Sequence, residues 1–316
     1  MSRSGLPFTA PWLLAPMEGV TEPCFRDLVL ARNPPESLGG AFTEFVRVSA
    51  APVPRTVLGR HLGPSRFAQP VAVQLMGSDL EHLARSAENA VAAGAPLVDL
   101  NFGCPSRRAV AGCAGSSLLR DPAALERIVR AVAGAVDVSV TAKIRAGYHD
   151  ASRVEDLARA VESGGAALLT VHCRTRAEGY CESVDWSRIA RAVRSVSIPV
   201  CGNGGIARSE DLERMRRETG ARFAMVGRGA LADPWIFSGR SVSRAEAARF
   251  LLDYAEAMCA RAGLALRAAA ARIKQLLRHW TAGALLPDEA LRTRLLREQD
   301  GGELLALLGA LAGPAP

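Results

Sequence analysis

The sequence predicts an α/β fold, a closed (β/α)8 TIM barrel followed by a small all-helical C-terminal domain, on three observations. Short apolar runs with strand character recur eight times, and most are followed by a stretch of helical periodicity. The repeat spans about 240 residues, the size such a barrel needs. Beyond residue 241 the strand pattern stops and alanine-, leucine- and arginine-rich segments take over. An open doubly wound sheet is the alternative, but no Gly-x-Gly-x-x-Gly follows the first run, as its dinucleotide-binding form requires.

In chain order, the strand-like runs are residues 12–17, 41–46, 71–75, 96–100, 138–144, 167–172, 198–201 and 223–226. Helical stretches fall at 22–31, 80–93, 122–133, 154–163, 186–196 and 209–219. Asp121-Pro122 reads as an N-cap followed by proline at the first helical position, and Ser209 as another cap. Strand and helix alternating in this way imply a parallel sheet with right-handed crossovers. Four further helices are expected at 244–261, 266–280, 287–297 and 302–311, giving a barrel domain of residues 1–241 and a helical domain of 242–316.

The 316 residues are 49% hydrophobic and 22% charged, ordinary for a soluble globular chain. No apolar run approaches the ~18 residues that span a bilayer, and the N-terminus lacks the apolar core of a secretory signal. A cytoplasmic monomer without membrane or metal partners is therefore expected. Seven cysteines, at 24, 104, 113, 173, 181, 201 and 259, form no Cys-x-x-Cys and no zinc-finger spacing, which points to reduced thiols. The net charge is +7, and lysine occurs only at Lys143 and Lys274. Base composition explains the arginine excess but not why these two sites keep a point charge.

In a barrel the working residues lie at the C-terminal ends of the strands. Those ends read Ala15-Pro16-Met17-Glu18-Gly19, Thr43-Glu44, Gln74, Asn101 to Cys104, Lys143 with Arg145, His172 with Arg174, Gly202-Asn203-Gly204-Gly205 and Gly227-Arg228-Gly229. Glycine-rich turns after the last two strands present bare N–H groups to an anion, or they simply make tight turns; the pair, with Arg228 between glycines, favours a phosphate. Lys143 either stabilises negative charge on a bound ring or pairs inward with Glu18 or Glu44. His172 is either a ligand or a core histidine, and Cys104 alone could be one more buried thiol. Gln74 and Asn101 could bond the edge of a flat heterocycle. Together the set suits a flavin mononucleotide better than a metal, and no Gly-x-Ser-x-Gly elbow is present.

Ala15-Pro-Met-Glu-Gly-Val, Thr43-Glu-Phe-Val-Arg47, Val73-Gln-Leu-Met-Gly, Asp99-Leu-Asn-Phe-Gly-Cys-Pro-Ser, Lys143-Ile-Arg, His172-Cys-Arg-Thr-Arg, Gly202-Asn-Gly-Gly and Val226-Gly-Arg-Gly-Ala resemble the tRNA-dihydrouridine synthase family, in order and over about 230 residues. Thr43-Glu-Phe-Val-Arg47 and Ala271-Arg-Ile-Lys-Gln275 are most similar to its bacterial C subgroup, which modifies U16 of the D-loop. The resemblance implies an FMN enzyme reduced by NADPH, with hydride passing to C6 of a uracil and a proton from Cys104 to C5. It assigns FMN contacts to Pro16, Met17, Glu18, Gln74, Lys143, His172, Asn203, Gly204, Gly205, Gly227 and Arg228. It assigns tRNA contacts to Arg47, Asn101, Arg145, Tyr180, Arg272, Lys274 and Arg294. After Cys104 the chain departs from the family's lysine and glycine-rich stretch, reading Arg107-Arg108 and then Cys113, an unexpected thiol.

Two acid-free stretches suit phosphate contacts. One holds Arg47, Arg55, Arg60 and Arg66, the other Arg261, Arg267, Arg272, Lys274 and Arg278. A solvated helix face is the other reading of such runs. Two rivals share part of the pattern: an FMN barrel acting on a free small molecule, and a redox-silent tRNA binder on the same fold.

Overall fold

The computed structural model describes residues 5–64, 67–106 and 113–313. Nine parallel strands, β1 (Trp12–Leu14), β2 (Gly40–Phe42), β3 (Val46–Arg47), β4 (Val71–Met76), β5 (Leu97–Phe102), β6 (Ser139–Arg145), β7 (Leu168–His172), β8 (Val200–Asn203) and β9 (Phe223–Val226), pair in the order β2-β1-β9-β8-β7-β6-β5-β4-β3. β2 also pairs with β4, so the sheet closes on itself as a TIM barrel. β2 and β3 are two pieces of one stave, expected from the sequence as a single strand. The break has a local cause: the Thr43 hydroxyl accepts from Gln74 N (3.0 Å) and donates to the Glu44 carbonyl (2.8 Å), taking over from the backbone ladder.

Helices α1 (Pro23–Arg32), α2 (Arg55–Leu62), α3 (Leu80–Ala92), α4 (Pro122–Ala135), α5 (Val154–Ser163), α6 (Ser187–Ser195) and α7 (Glu210–Thr219) alternate with the strands. The Asp121 carboxylate accepts from Ala124 N at 3.1 Å with Pro122 in the first turn, as the sequence indicates. α2 and the 3-10 turn Gly115–Arg120 lie outside the expected helices. Leu13, Ala15, Phe42, Ala72, Leu97, Leu168, Cys201, Phe223 and Met225 pack inside the barrel, with Leu6 and Phe8 against them.

The chain forms two compact units. The barrel unit comprises residues through Pro23, Pro35–Ile206 and Glu210–Gly227. The helical unit takes Cys24–Pro34, Ala207–Ser209 and the described residues from Arg228, including α8 (Arg228–Ala232), α9 (Arg244–Ala260), α10 (Leu266–Leu277), α11 (Glu289–Arg297) and α12 (Gly301–Ala312). The helical unit thus starts at Arg228 and takes in α1 from Cys24 onward. The reason is aromatic: Phe25 of α1 meets the rings of Phe250 and Tyr254 edge-on at 6.1 and 5.7 Å, and Trp235 meets Phe250 at 5.5 Å. Ser243 and Glu246 form a reciprocal capping box at the start of α9.

Candidate active site at the strand ends of the barrel

Parallel register stacks the site's side chains in tiers. Gln74, Asp99 and Thr141 are partners across β4, β5 and β6. One step toward the strand ends come Asn101, Lys143, Thr170 and Cys201, then Arg145, His172 and Asn203. The alternation of a strand puts Asp99 and Asn101 on the same face.

Asp99 is fully buried and accepts from Gln74 Nε2 (2.6 Å) and the Thr141 hydroxyl (2.5 Å). Asn101 Nδ2 donates to Gln74 Oε1 at 2.7 Å, while Asn101 Oδ1 accepts from the backbone N–H groups of Gly103 (3.0 Å) and Cys104 (2.9 Å). Gln74, expected to meet FMN, is fully buried, with Nε2 bonded to Asp99 and Oε1 to Asn101. Asp99 is not among the residues expected from the sequence. An acid inside the apolar run Leu97-Val98-Asp99-Leu100 is the signal available there.

Cys104 is half-buried at the mouth. Its thiol donates to the Ser106 hydroxyl at 3.4 Å, and its carbonyl accepts from Ser116 N at 3.1 Å. Gly115 takes φ +59° against it; a Cβ there would sit 3.0 Å from the Cys104 carbonyl oxygen. Cys113 is exposed with φ 50°. Arg107, Arg108 and Arg66 lie outside the described residues.

Lys143 makes no hydrogen bond or ion pair among the described residues; the pairing with Glu18 or Glu44 is not formed, and Glu44 Oε1 instead accepts from Val20 N at 3.0 Å. Desolvation and then the neighbouring Arg145 charge hold the Lys143 ammonium down to about 8, against the partial support of Asp99. Burial pushes the Asp99 carboxyl up to about 6, opposed by its bonds to Gln74 and Thr141 and by Lys143.

The His172 Nδ1 accepts from Arg174 N at 3.2 Å, which puts the proton of the neutral ring on Nε2. Asn203 donates to the Met225 carbonyl at 2.8 Å, tying the end of β8 to β9. Gly204 and Gly205 follow with φ of +103° and +79°, and a Cβ on Gly204 would lie 2.8 Å from Cys173 Sγ. Among the described residues, the N–H groups of Gly204, Gly205 and Gly227 have no protein acceptor. These are the bare donors an anion needs. After β1, Met17 N is held by the Thr21 hydroxyl (2.8 Å), with Pro16 and Met17 half-buried and Glu18 exposed.

The expected RNA contacts differ in exposure. Tyr180 is 60% exposed, and Arg47 is exposed. Arg145 is 2% exposed; its guanidinium donates to the carbonyls of Gly103 (2.9 Å), Thr175 (3.0 Å) and Gly179 (2.9 Å) and lies over the Tyr180 ring. It braces the Cys104 and Tyr180 loops. In the helical unit Arg294 is exposed and Arg272 half-buried, while the Lys274 ammonium donates to the Glu298 carbonyl at the end of α11. No helix among the described residues is long and apolar enough to cross a membrane, and no group of His, Cys, Asp or Glu among them is placed to hold a metal.

A family model described as dihydrouridine synthase matches residues 13–286. A tRNA-dihydrouridine(16) synthase of Cupriavidus necator is 41% identical, with 71% of each chain covered. Proteins of the same name from Ralstonia nicotianae and Aquipseudomonas alcaligenes are 36% and 37% identical, covering 94% and 91% of this chain and 94% and 95% of theirs.

Proposed function

The chain belongs to the dihydrouridine synthase family, and from that premise we propose that it reduces the C5=C6 bond of a D-loop uridine of tRNA, at position 16, to dihydrouridine, with FMN as resident cofactor and NADPH as reductant. The observation that carries this reading is Lys143, an ammonium at the barrel mouth without a hydrogen bond or ion pair among the described residues, in register with Asn101 and hence with the Cys104 loop. A half-buried ammonium without a hydrogen bond or ion pair is costly, and an electron-rich ring beside it offsets that cost.

The donor set fits a flavin mononucleotide. The N–H groups of Gly204, Gly205 and Gly227 would hold its phosphate; Lys143 and the His172 Nε2–H would face its ring. When bound and reduced by NADPH, the flavin supplies the hydride that C6 of the uracil receives. Cys104 gives the proton to C5. A thiol suits this task because it must stay protonated until the base arrives, and the bond to Ser106 keeps it in place meanwhile.

A stacked base cannot reach the bottom of a barrel mouth, so the uridine enters flipped out of its helix. Tyr180 offers an exposed ring for a splayed base, and Arg47 a phosphate contact. Arg272, Lys274 and Arg294 of the helical unit contact the tRNA backbone, which gives affinity without sequence information. The test is a Cys104→Ala variant assayed by mass spectrometry of the tRNA. It should keep flavin and tRNA binding and make no dihydrouridine. Normal dihydrouridine formation by that variant removes Cys104 from its role.

A further inference from the structure

The chain of amides beneath Cys104 has its direction fixed by its two ends. The N–H groups of Gly103 and Cys104 can only donate, and both point at Asn101 Oδ1 (3.0 and 2.9 Å). At the other end Asp99, as a carboxylate, can only accept, and it takes Gln74 Nε2 (2.6 Å) and the Thr141 hydroxyl (2.5 Å). The middle link, Asn101 Nδ2 to Gln74 Oε1 at 2.7 Å, then has one possible sense. Flipping either amide sets donor against donor or acceptor against acceptor. The Asn101 oxygen is consumed by two backbone donors. What this half-buried side chain can still offer is the second Nδ2 hydrogen, which has no partner among the described residues.

We propose that Asp99 is a positioning residue: through Gln74 it locks Asn101 in a donor-only pose that reads a ring carbonyl of the bound pyrimidine, and through Asn101 it pins the backbone at Cys104. The ligand in this statement rests on the function proposed above; the relay belongs to the protein itself. A donor-only Asn101 accepts a uracil carbonyl and sets donor against donor with an amino group at the same place, so it discriminates by an unpaired polar contact. The ionisable groups facing Asp99 are Lys143 from β6 and the Cys201 thiol from β8. A proton taken up by Asp99 on its Thr141 side leaves Oδ2 free to accept, so the relay keeps its sense in the native protein whichever way Asp99 is charged.

A charge swap tests this. Gln74→Glu sets a second carboxylate against Asp99 across the 2.6 Å contact. Two carboxylates that close share one proton, and the shared proton restores a donor to the link. The relay in Gln74→Glu should therefore hold at low pH and break as pH rises through the titration of the pair. Adding Asp99→Asn supplies a permanent donor, with the Thr141 hydroxyl still donating to the Asn oxygen. The readouts are the iodoacetamide alkylation rate of Cys104, resolved by peptide mass spectrometry, and kcat/KM for tRNA, both from pH 6 to 9 and relative to the native protein.

We expect Gln74→Glu to alkylate about tenfold faster than the native protein at the alkaline end and equally at the acid end, the size expected of one broken buried hydrogen bond. The double variant should return to the native rate at every pH, and kcat/KM should follow. A flat Gln74→Glu ratio, or a double variant no nearer to native than the single, overturns the relay. Restored alkylation without restored kcat/KM overturns the carbonyl-reading part. If the native protein forms no dihydrouridine at all, the proposed function fails, and the alkylation arm still decides the relay.

Discussion

Lys143 carries an ionisation that pH exposes. Its ammonium is held down to about 8 by burial, against 10.5 in the unfolded chain, so the unfolded state binds that proton more tightly between the two values. Stability should therefore rise with pH across that window, and Lys143→Met should remove the rise; urea denaturation at pH 8 and pH 10 measures it. The functional sign is opposite. The cation is present below about 8 and lost above it, so FMN affinity should weaken as pH passes 8 in the native protein and stay flat, at a weaker level, in Lys143→Met. A fluorescence titration of FMN reads this directly. At this scale the sequence shows the ends of the strands well, because residue type and strand position together mark Cys104, Lys143 and the paired glycine turns. It does not show Asp99, Gln74 or Arg145 in their structural roles. Their roles depend on which buried partner each finds across the register, and a strand-end list contains no register.

Among the elements, the turn after β8 is tightly constrained. Gly204 combines φ +103° with a Cβ position 2.8 Å from Cys173 Sγ. Gly204→Ala should cost about 1–3 kcal/mol in stability, the scale of a residue forced into sparsely populated backbone, and should also weaken FMN binding. Ser243→Ala is the control in the helical unit. Losing the capping box costs about 1 kcal/mol and should leave FMN affinity unchanged; thermal melts and flavin fluorescence on the same samples separate the two effects. Most strands are legible because apolar runs at regular intervals are what a closed parallel sheet needs. The second stave is legible in place but not in form, since the Thr43 hydroxyl that interrupts it reads in sequence as an ordinary β-branched strand residue. α2 escapes sequence reading for a related reason: only Leu58 and Leu62 of its eight residues are buried, too few for a helical period.

For the whole molecule the sequence marks where strands end, but not that α1 packs with the C-terminal helices. The helical unit recruits α1 through Phe25, far away in sequence, and no local composition records that pairing. The cations it carries are the basis of a binding prediction. Arg272→Glu with Arg294→Glu should weaken tRNA binding and lower the slope of log affinity against log salt by about one for each phosphate no longer neutralised, while FMN affinity holds. Filter binding across a salt series measures this, and an unchanged slope would move the RNA-binding face elsewhere. The proposed function makes tRNA the electron acceptor of a flavin held in this barrel. Its most direct measurement is anaerobic: load the protein with FMN, reduce it with NADPH, and follow flavin reoxidation with and without unmodified tRNA. Reoxidation is expected only when tRNA is added, with dihydrouridine appearing at position 16. A flavin that binds and is reduced, yet reoxidises no faster with tRNA than without it, would rule tRNA out as the acceptor and point to a small molecule.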